Sequence, residues 1–440
     1  MGNPMSQSVF HPDFKAKPYW WEAVSIGSDP QEDLPARADV VIVGGGLTGL
    51  NCAIELGRGG VKAVVLEGED LGFGASTRNG GGVSGGTSLG KGMSGARGSD
   101  ELLRAMVGDA AESLVHVENI VEREGIDCHY VRSGRYICAY TPKHYDALAK
   151  KVGLYNDYAK ADVAMVPRER QHEEIASDYY HGGMSVGRSG KIHPALYHHG
   201  LMKAARKYGA TLVSRCRAGK LTKTPSGWKV ETSRGTIEAG DVVIATNGYT
   251  GELTPDLKRR LMPIASHIIA TEPLDPDVAK SLIPKGRTLS DTRRVLCYWR
   301  MSPDGTRVLF GGRARFTQVS PEVSAPALHA MMLERWPQLK GTRITHAWTG
   351  NVAFAFDYLP HTGVTEKGLH YAMGCNGSGV AMLSYLGAAV GKRILGGENK
   401  PVSFEGRDFP TMRFYSGNPW FLPMVGAYYR LRDYLDRRVA

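Results

Sequence analysis

The chain has 440 residues, 42% hydrophobic and 22% charged, the profile of an ordinary globular protein large enough for one big core or two to three modest ones. Its formal net charge of +10 comes from 54 basic residues set against 44 acidic ones; the two are largely interleaved, no nucleic-acid module accompanies them, and no nucleic-acid partner is expected. Six isolated cysteines, without a C-x-x-C pair or a Cys/His cluster, argue against a disulfide framework, predict no metal site and suit a reducing cytoplasm.

At the N-terminus the charged-then-apolar pattern of a signal peptide is missing, and no apolar run is long enough to cross a bilayer. Cytoplasmic localisation without stable membrane insertion is therefore expected. The first patterned stretch is VVIVGGGLTGL, residues 40–50. Residues 39–43 read as a buried strand, Gly44-x-Gly46-x-x-Gly49 as a turn, and 47–60, opening on Leu47 and Thr48, as a helix. Residues 61–68 give the second strand of a βαβ unit, closed by Glu67 and Gly68. Each glycine has a physical role: Gly44 allows the tight turn, Gly46 lets backbone approach a pyrophosphate, and Gly49 lets helix and strand pack closely. The helix N-terminus offers N–H donors and a positive dipole end to phosphate, and Glu67 stands where a carboxylate accepts from a ribose hydroxyl. Glu67 in place of an Arg disfavours a 2′-phosphate. The motif predicts a dinucleotide and leaves NAD and FAD open.

Next comes LGFGASTRNGGGVSGG, residues 71–86, where a nicotinamide-binding domain would move on to its third strand. A long Gly/Ser/Asn segment can wrap a flat ring and its ribityl phosphate. Ser76, Thr77 and Arg78 are candidates to meet phosphate oxygens, Asn79, Gly80, Gly81 and Gly82 to pass close to a ring, and Gly74 and Ala75 are cofactor-binding candidates in the same segment. Residues 101–125 read as a helix and 129–140 as a hairpin. Residues 193–213 read as helix then strand, with Val213 expected near an adenine. The buried strand 241–245 ends in Thr246, Asn247 and Gly248, at the carboxyl end where open α/β sheets bind ligands. Residues 293–315 read as a hairpin turning at Pro303-Asp304-Gly305. On its first arm Tyr298 and Arg300 alternate and face one side, so they are candidates to clamp a substrate carboxylate, while Cys297 and Trp299 face the core. His267 lies on another strand and is either a site residue or a packed core histidine. Residues 368–397 give a strand, a turn carrying Gly374, Asn376, Gly377, Ser378 and Gly379, and a helix opening on Val380. That helix start is suited to stabilising negative charge on a reduced ring. Residues 418–438 read as an amphipathic tail helix.

VVIVGGGLTGL, LEGEDLGFGASTRNGG, VVIATNGYTGEL, SHIIATEPL and WTGNVAFAFDYLPHTG followed by GCNGSGVAMLSYLGAAVGKRILG occur in order over residues 38–397. In these the chain resembles the D-amino-acid oxidase (DAO) superfamily of FAD-dependent amine oxidoreductases, and most resembles its gamma-glutamylputrescine oxidase-like branch. The resemblance implies an α/β fold: a Rossmann-like, glutathione-reductase-type FAD-binding lobe with a second, antiparallel-sheet substrate lobe. The expected division is an N-terminal arm (1–37), an FAD-binding lobe (38–88, 191–262, 345–400), a substrate lobe (89–190, 263–344) and a tail (401–440). It implies hydride transfer from the carbon beside an amine to flavin N5, hydrolysis of the imine, and passage of electrons to O2, giving H2O2, or to another acceptor. The substrate is a small amine or amino acid; D-amino acids and Amadori-type sugar amines stay open beside gamma-glutamyl polyamines, as does a flavin-binding protein without turnover. Residues 348–356 contain no cysteine and position 79 is not histidine, so the covalent attachment points of related enzymes are absent and non-covalent FAD is expected.

Overall fold

The computed structural model describes residues 8–85, 100–396 and 401–438. The start of the N-terminal arm, the 86–99 segment opening the expected second lobe, and residues 397–400 lie outside the described residues.

Arg37–Val43 ends in four buried β-branched residues, as a strand central to a parallel sheet requires. It pairs in parallel with Ala63–Leu66 on one side and Gly235–Ile244 on the other. Thr211–Val213 extends this sheet beyond Ala63–Leu66, and His370–Met373 pairs in parallel with the end of Gly235–Ile244. Antiparallel additions at Ala218–Thr224, Gly227–Thr232 and His361–Val364 bring the sheet to eight strands. The helix Leu47–Arg58 packs against Gly379–Leu395 and Pro194–Lys207. Its crossing with Gly379–Leu395 is close enough that a Cβ on Gly387 would lie 2.3 Å from the Thr48 carbonyl oxygen.

A second sheet has nine strands in the order Phe10–Lys15, Ile344–Ala355, Leu261–Thr271, Val308–Gly312, Cys297–Met301, Thr288–Asp291, Arg135–Cys138, Gly183–Val186, Val163–Val166. All neighbours are antiparallel except the first pair and the Thr288–Asp291/Arg135–Cys138 pair. One face buries Tyr180, Trp299, Phe310 and Trp336 in a common core. The 293–315 hairpin forms as expected, with Asp304 accepting from the Thr306 backbone N–H in its turn.

Residues 129–140 do not form the expected hairpin. Arg135–Cys138 is the one strand there, with Gly183–Val186 and Thr288–Asp291 as neighbours. His129 and Gly134 have positive φ, which breaks the extended run, and Val131 makes only an isolated bridge to Lys191. An alternating pattern specifies a strand but not its partner. For the same reason Ile344–Ala355, assigned from sequence mostly to the nucleotide lobe, is hydrogen-bonded into the nine-stranded sheet along Leu261–Thr271, and Phe10–Lys15 of the arm joins it. The tail helix, Leu422–Arg438, is anchored by buried Asp433, which accepts from the Arg294 and Val295 backbone N–H groups. No helix among the described residues is long and apolar enough to cross a membrane.

Candidate active site

A cavity of about 890 Å³ runs from the carboxyl ends of the parallel strands to the open face of the nine-stranded sheet. Its first wall is the turn after Arg37–Val43, with Gly44, Gly46, Leu47 and Thr48 all on the surface. Gly44 has φ +113°, and a Cβ there would lie 2.7 Å from the Ala245 carbonyl oxygen. A Cβ on Gly49 would lie 2.0 Å from the Gly44 carbonyl oxygen, so Gly49 serves helix–strand packing and is not on the wall. The helix start has no cap of its own; the Leu47 N–H donates to Ser76 Oγ at 3.1 Å. Glu67 and Gly68 line the cavity. The Glu67 carboxylate accepts from the Gly45 and Glu69 backbone N–H groups, both at 3.0 Å, yet burial pushes its pKa up. Gly45, overlooked in the sequence as the variable position of the motif, is on the wall and is fixed by His198, whose Nε2 donates to its carbonyl at 2.8 Å.

The Gly/Ser/Asn segment supplies Gly74, Ala75, Ser76, Arg78, Asn79 and Gly80 to the wall. Three indoles hold it. Trp20 Nε1 donates to the Asn79 carbonyl at 2.8 Å, Trp348 Nε1 to the Arg78 carbonyl at 2.7 Å, and Trp21 Nε1 to Thr77 Oγ1 at 2.9 Å. Trp20 is fully buried and itself lines the cavity. No sequence reading singled out Trp20 or Trp21; the run Tyr19-Trp20-Trp21 in a chain that is 9% aromatic is the signal that pointed there. Two expectations are corrected. Thr77 is buried behind the wall, donating to the Gly72 carbonyl and accepting from Trp21. Gly81 is also off the wall, its carbonyl accepting from Ile192 N–H and from Arg300. Arg78 lines the cavity with its guanidinium 4.6 Å from both the Trp21 and Phe73 rings and donates to the Phe73 and Thr349 carbonyls.

Thr246, Asn247 and Gly248 line the cavity, and Asn247 ties two turns together by accepting from the Gly374 N–H at 3.0 Å. Asn376, Gly377, Gly379 and Val380 are on the wall; Gly374 and Ser378 lie behind it as backbone supports. Val213 is also off the wall. It is fully buried in the sheet core, its carbonyl accepting from Glu67 N–H, and Arg217, Ala218 and Gly219 face the cavity in that region instead.

The opposite wall comes from the nine-stranded sheet. The Tyr298 ring sits between Gly80 and Gly311, and its hydroxyl pairs with Ser266 Oγ at 2.8 Å. Burial raises the phenol to about 12, so it is protonated at neutral pH. Arg300 lines the cavity, but the expected Tyr298/Arg300 clamp is not formed. Its Nε donates to the Met301 carbonyl and its Nη1 to those of Ile192, at 2.7 Å, and Gly81. Arg313 is on the wall with its guanidinium 4.7 Å from the Phe354 ring and no hydrogen-bond partner among the described residues. His267 is fully buried and off the wall; burial lowers its pKa to about 4, and it is a core histidine.

These residues fit FAD. A helix N-terminus, a half-buried carboxylate at the end of the second strand and a floor of bare backbone at Gly80, Gly248 and Gly377 suit pyrophosphate, ribose and a flat ring in turn. The sequence profile of the FAD dependent oxidoreductase family (DAO) matches residues 39–393. The chain is 31% identical over 408 residues to gamma-glutamylputrescine oxidoreductase of Escherichia coli (strain K12), covering 90% of this chain and 93% of the relative. It is 29% identical over 388 residues to the probable oxidoreductase OrdL of Haemophilus influenzae, covering 86% and 87%. Among solved structures, glycine oxidase from Geobacillus kaustophilus superposes with a TM-score of 0.70 at 23% identity, covering 86% of this chain and 99% of that one.

Proposed function

The chain belongs to the FAD dependent oxidoreductase (DAO) family, and from that membership we propose that it oxidises a small amine or N-substituted amino acid of the gamma-glutamylputrescine type. The observation that carries this reading is one cavity lined on one side by the dinucleotide turn and on the other by Tyr298, Ser266 and Arg313. Bound FAD supplies a hydride acceptor at its N5 position.

Gly44, Gly46, Leu47, Thr48, Ser76 and Glu67 hold the phosphate and ribose end, and the 246–248 and 376–380 turns the ring end. The oxidised amine must be neutral, since its lone pair drives loss of hydride from the adjacent carbon. Arg300 and Arg313, cations facing the same cavity, lower the pKa of a bound ammonium by like-charge repulsion. Tyr298, locked by Ser266 and two glycines, orients the substrate carbon, and the buried wall excludes water until the imine leaves to hydrolyse. FAD is held non-covalently: Cys375, the one cysteine on the wall among the described residues, is buried with its thiol pKa raised, and so is a poor nucleophile. The six thiols, all free and buried, suit a reducing cytoplasm. O2 is the proposed electron acceptor.

The test is anaerobic mixing of the purified holoenzyme with gamma-glutamylputrescine, D-amino acids and fructosyl amines. An amine should bleach the yellow flavin absorbance, and admitting air should restore it with stoichiometric H2O2. A flavin that no amine bleaches leaves only a binding protein. Bleaching that air does not reverse moves the electrons to another acceptor.

A further inference from the structure

Beyond the walls that hold FAD and the reacting carbon, the cavity continues under the strands Thr288–Asp291 and Arg135–Cys138, where it is lined by Arg135, Ile137, Lys151, Tyr155 and Ser290. The register shows how this part relates to Tyr298. Ser290 is opposite Tyr298 and also opposite Ile137, so these three side chains share one face. Arg135 is opposite Thr288 in the next row of that face. Two strand spacings, about 10 Å, separate Tyr298 from the Arg135–Cys138 strand.

Among the described residues, two cations line this region. Arg135 Nη2 donates to Ser290 Oγ at 2.7 Å, which fixes the guanidinium beside a neutral hydroxyl. Lys151, between the helices Pro142–Ala149 and Val152–Ala159, has no side-chain partner among the described residues. Burial lowers the pKa of each, the cost of holding a charge away from water. Among the described residues, the carboxylates that touch the cavity are engaged elsewhere: Glu67 with backbone N–H groups, Glu69 with Arg217, Glu252 with Lys258, and Asp291 with Arg293 and Arg335.

We propose that Arg135 and Lys151, with Ser290, form a subsite for a carboxylate at the far end of the substrate. The substrate class is then an amine whose oxidised carbon is separated from an anionic end by a chain of about 10 Å, as in a diamine acylated by a dicarboxylic acid. This rests on the amine-oxidation reading above and adds to it which residues select the substrate. Arg313, single and stacked on Phe354 at the other side of Tyr298, is the competing position.

The experiment uses the holoenzyme and two substrates matched except for charge, N-glutaryl putrescine and N-valeryl putrescine. The wild type should favour the carboxylate in kcat/KM by on the order of 30-fold or more. Arg135→Gln and Lys151→Met should each collapse that ratio by about tenfold, chiefly through KM. Lys151→Met, on the cavity wall and with no side-chain partner to lose among the described residues, covers a failure of Arg135→Gln to fold. A wild-type ratio near one overturns the subsite, as does a ratio that survives both substitutions or disappears only in Arg313→Gln. A second arm needs no turnover: calorimetric binding of N-glutaryl butylamine, which has no free amine, should weaken about tenfold in Lys151→Met. If no amine bleaches the flavin but this binding behaves as stated, amine oxidation falls and the anion subsite stands. Binding indifferent to Lys151 sinks the subsite alone.

Discussion

The Tyr298 ring lies against the bare Cα of Gly311: a Cβ on Gly311 would fall 2.4 Å from ring atoms Cε2 and Cζ. The two residues are cross-strand partners, so the contact is built into the hairpin, and the ring has Gly80 on its other side. Gly311→Ala therefore expels the ring from its slot. Overpacking of this kind costs about 1–3 kcal/mol, and kcat/KM should fall by about tenfold or more as the wall loses its shape. Tyr298→Phe, which removes only the bond to Ser266, should cost about 0.5–1.5 kcal/mol. Urea denaturation and steady-state kinetics on both variants check this; a Gly311→Ala protein matching the wild type in both would mean the ring is not confined there.

Arg300 separates a structural from a substrate role. Its donors run to the carbonyls of Ile192, Gly81 and Met301, which links the Cys297–Met301 strand to the segment carrying Asn79 and Gly80. Arg300→Gln takes a donor from the Ile192 and Met301 carbonyls, while that of Gly81 keeps the Ile192 N–H, at about 1–3 kcal/mol for each carbonyl left unpaired. The variant should show lower stability and a lower flavin-to-protein absorbance ratio, with KM changed by less than about threefold. A large rise in KM at undiminished stability would restore the carboxylate clamp.

Much of the nucleotide side was legible in the sequence because its information is local. Strand, glycine turn, helix, strand and Glu67 follow each other directly between Arg37 and Glu67, and each spacing has a steric reason that the structure repeats at Gly44 and Gly49. What stayed hidden depends on distant partners. Arg135 faces the cavity only because its strand pairs in parallel with residues about 150 positions later. Val213 is expected near an adenine; its carbonyl accepts from Glu67 N–H and its side chain stays in the core. Alternation placed Tyr298 and Arg300 on one face but could not show that Arg300 would turn to backbone.

Trp20 is the clearest case of long-range support, reaching across 59 positions to the Asn79 carbonyl. Trp20→Phe keeps the ring and deletes the donor, leaving that carbonyl, beside the proposed ring site, without its fixed partner. A loss of about 1–2 kcal/mol in holding the segment should weaken FAD binding by about five- to thirtyfold, read by titrating flavin into the deflavinated protein. Trp21→Phe, whose partner is the side chain of Thr77 behind the wall, should weaken it less. Equal affinities in wild type and Trp20→Phe would detach the N-terminal arm from cofactor binding.

Acid stability follows from four histidines, three of them buried and His116 half-buried. Burial, the largest cause for each, lowers His116, His193, His198 and His267 to about 4. The unfolded chain protonates them near 6.5. Between those values the unfolded state binds more protons than the folded one, so stability rises with pH across the window and falls as pH drops from about 6.5 towards 4. Each histidine contributes a slope of up to about 1.4 kcal/mol per pH unit there. Burial, the largest single effect on Glu22, raises its pKa, but hydrogen bonds from Lys15, His346 and Lys17 together outweigh it and hold the group at about 2, so its contribution is lost as pH falls from the ordinary carboxylate range towards 2. Acid destabilisation should therefore begin while the carboxylates are still ionised. His198 also fixes Gly45 in the dinucleotide turn, so flavin release should accompany it. The measurement is the denaturation midpoint and the flavin fluorescence as pH is taken from 7 to 5. His198→Asn, which can still donate to the Gly45 carbonyl but does not titrate, should flatten the release of flavin over that range. Release that begins only below about pH 4 in the wild type would assign it to carboxylates instead.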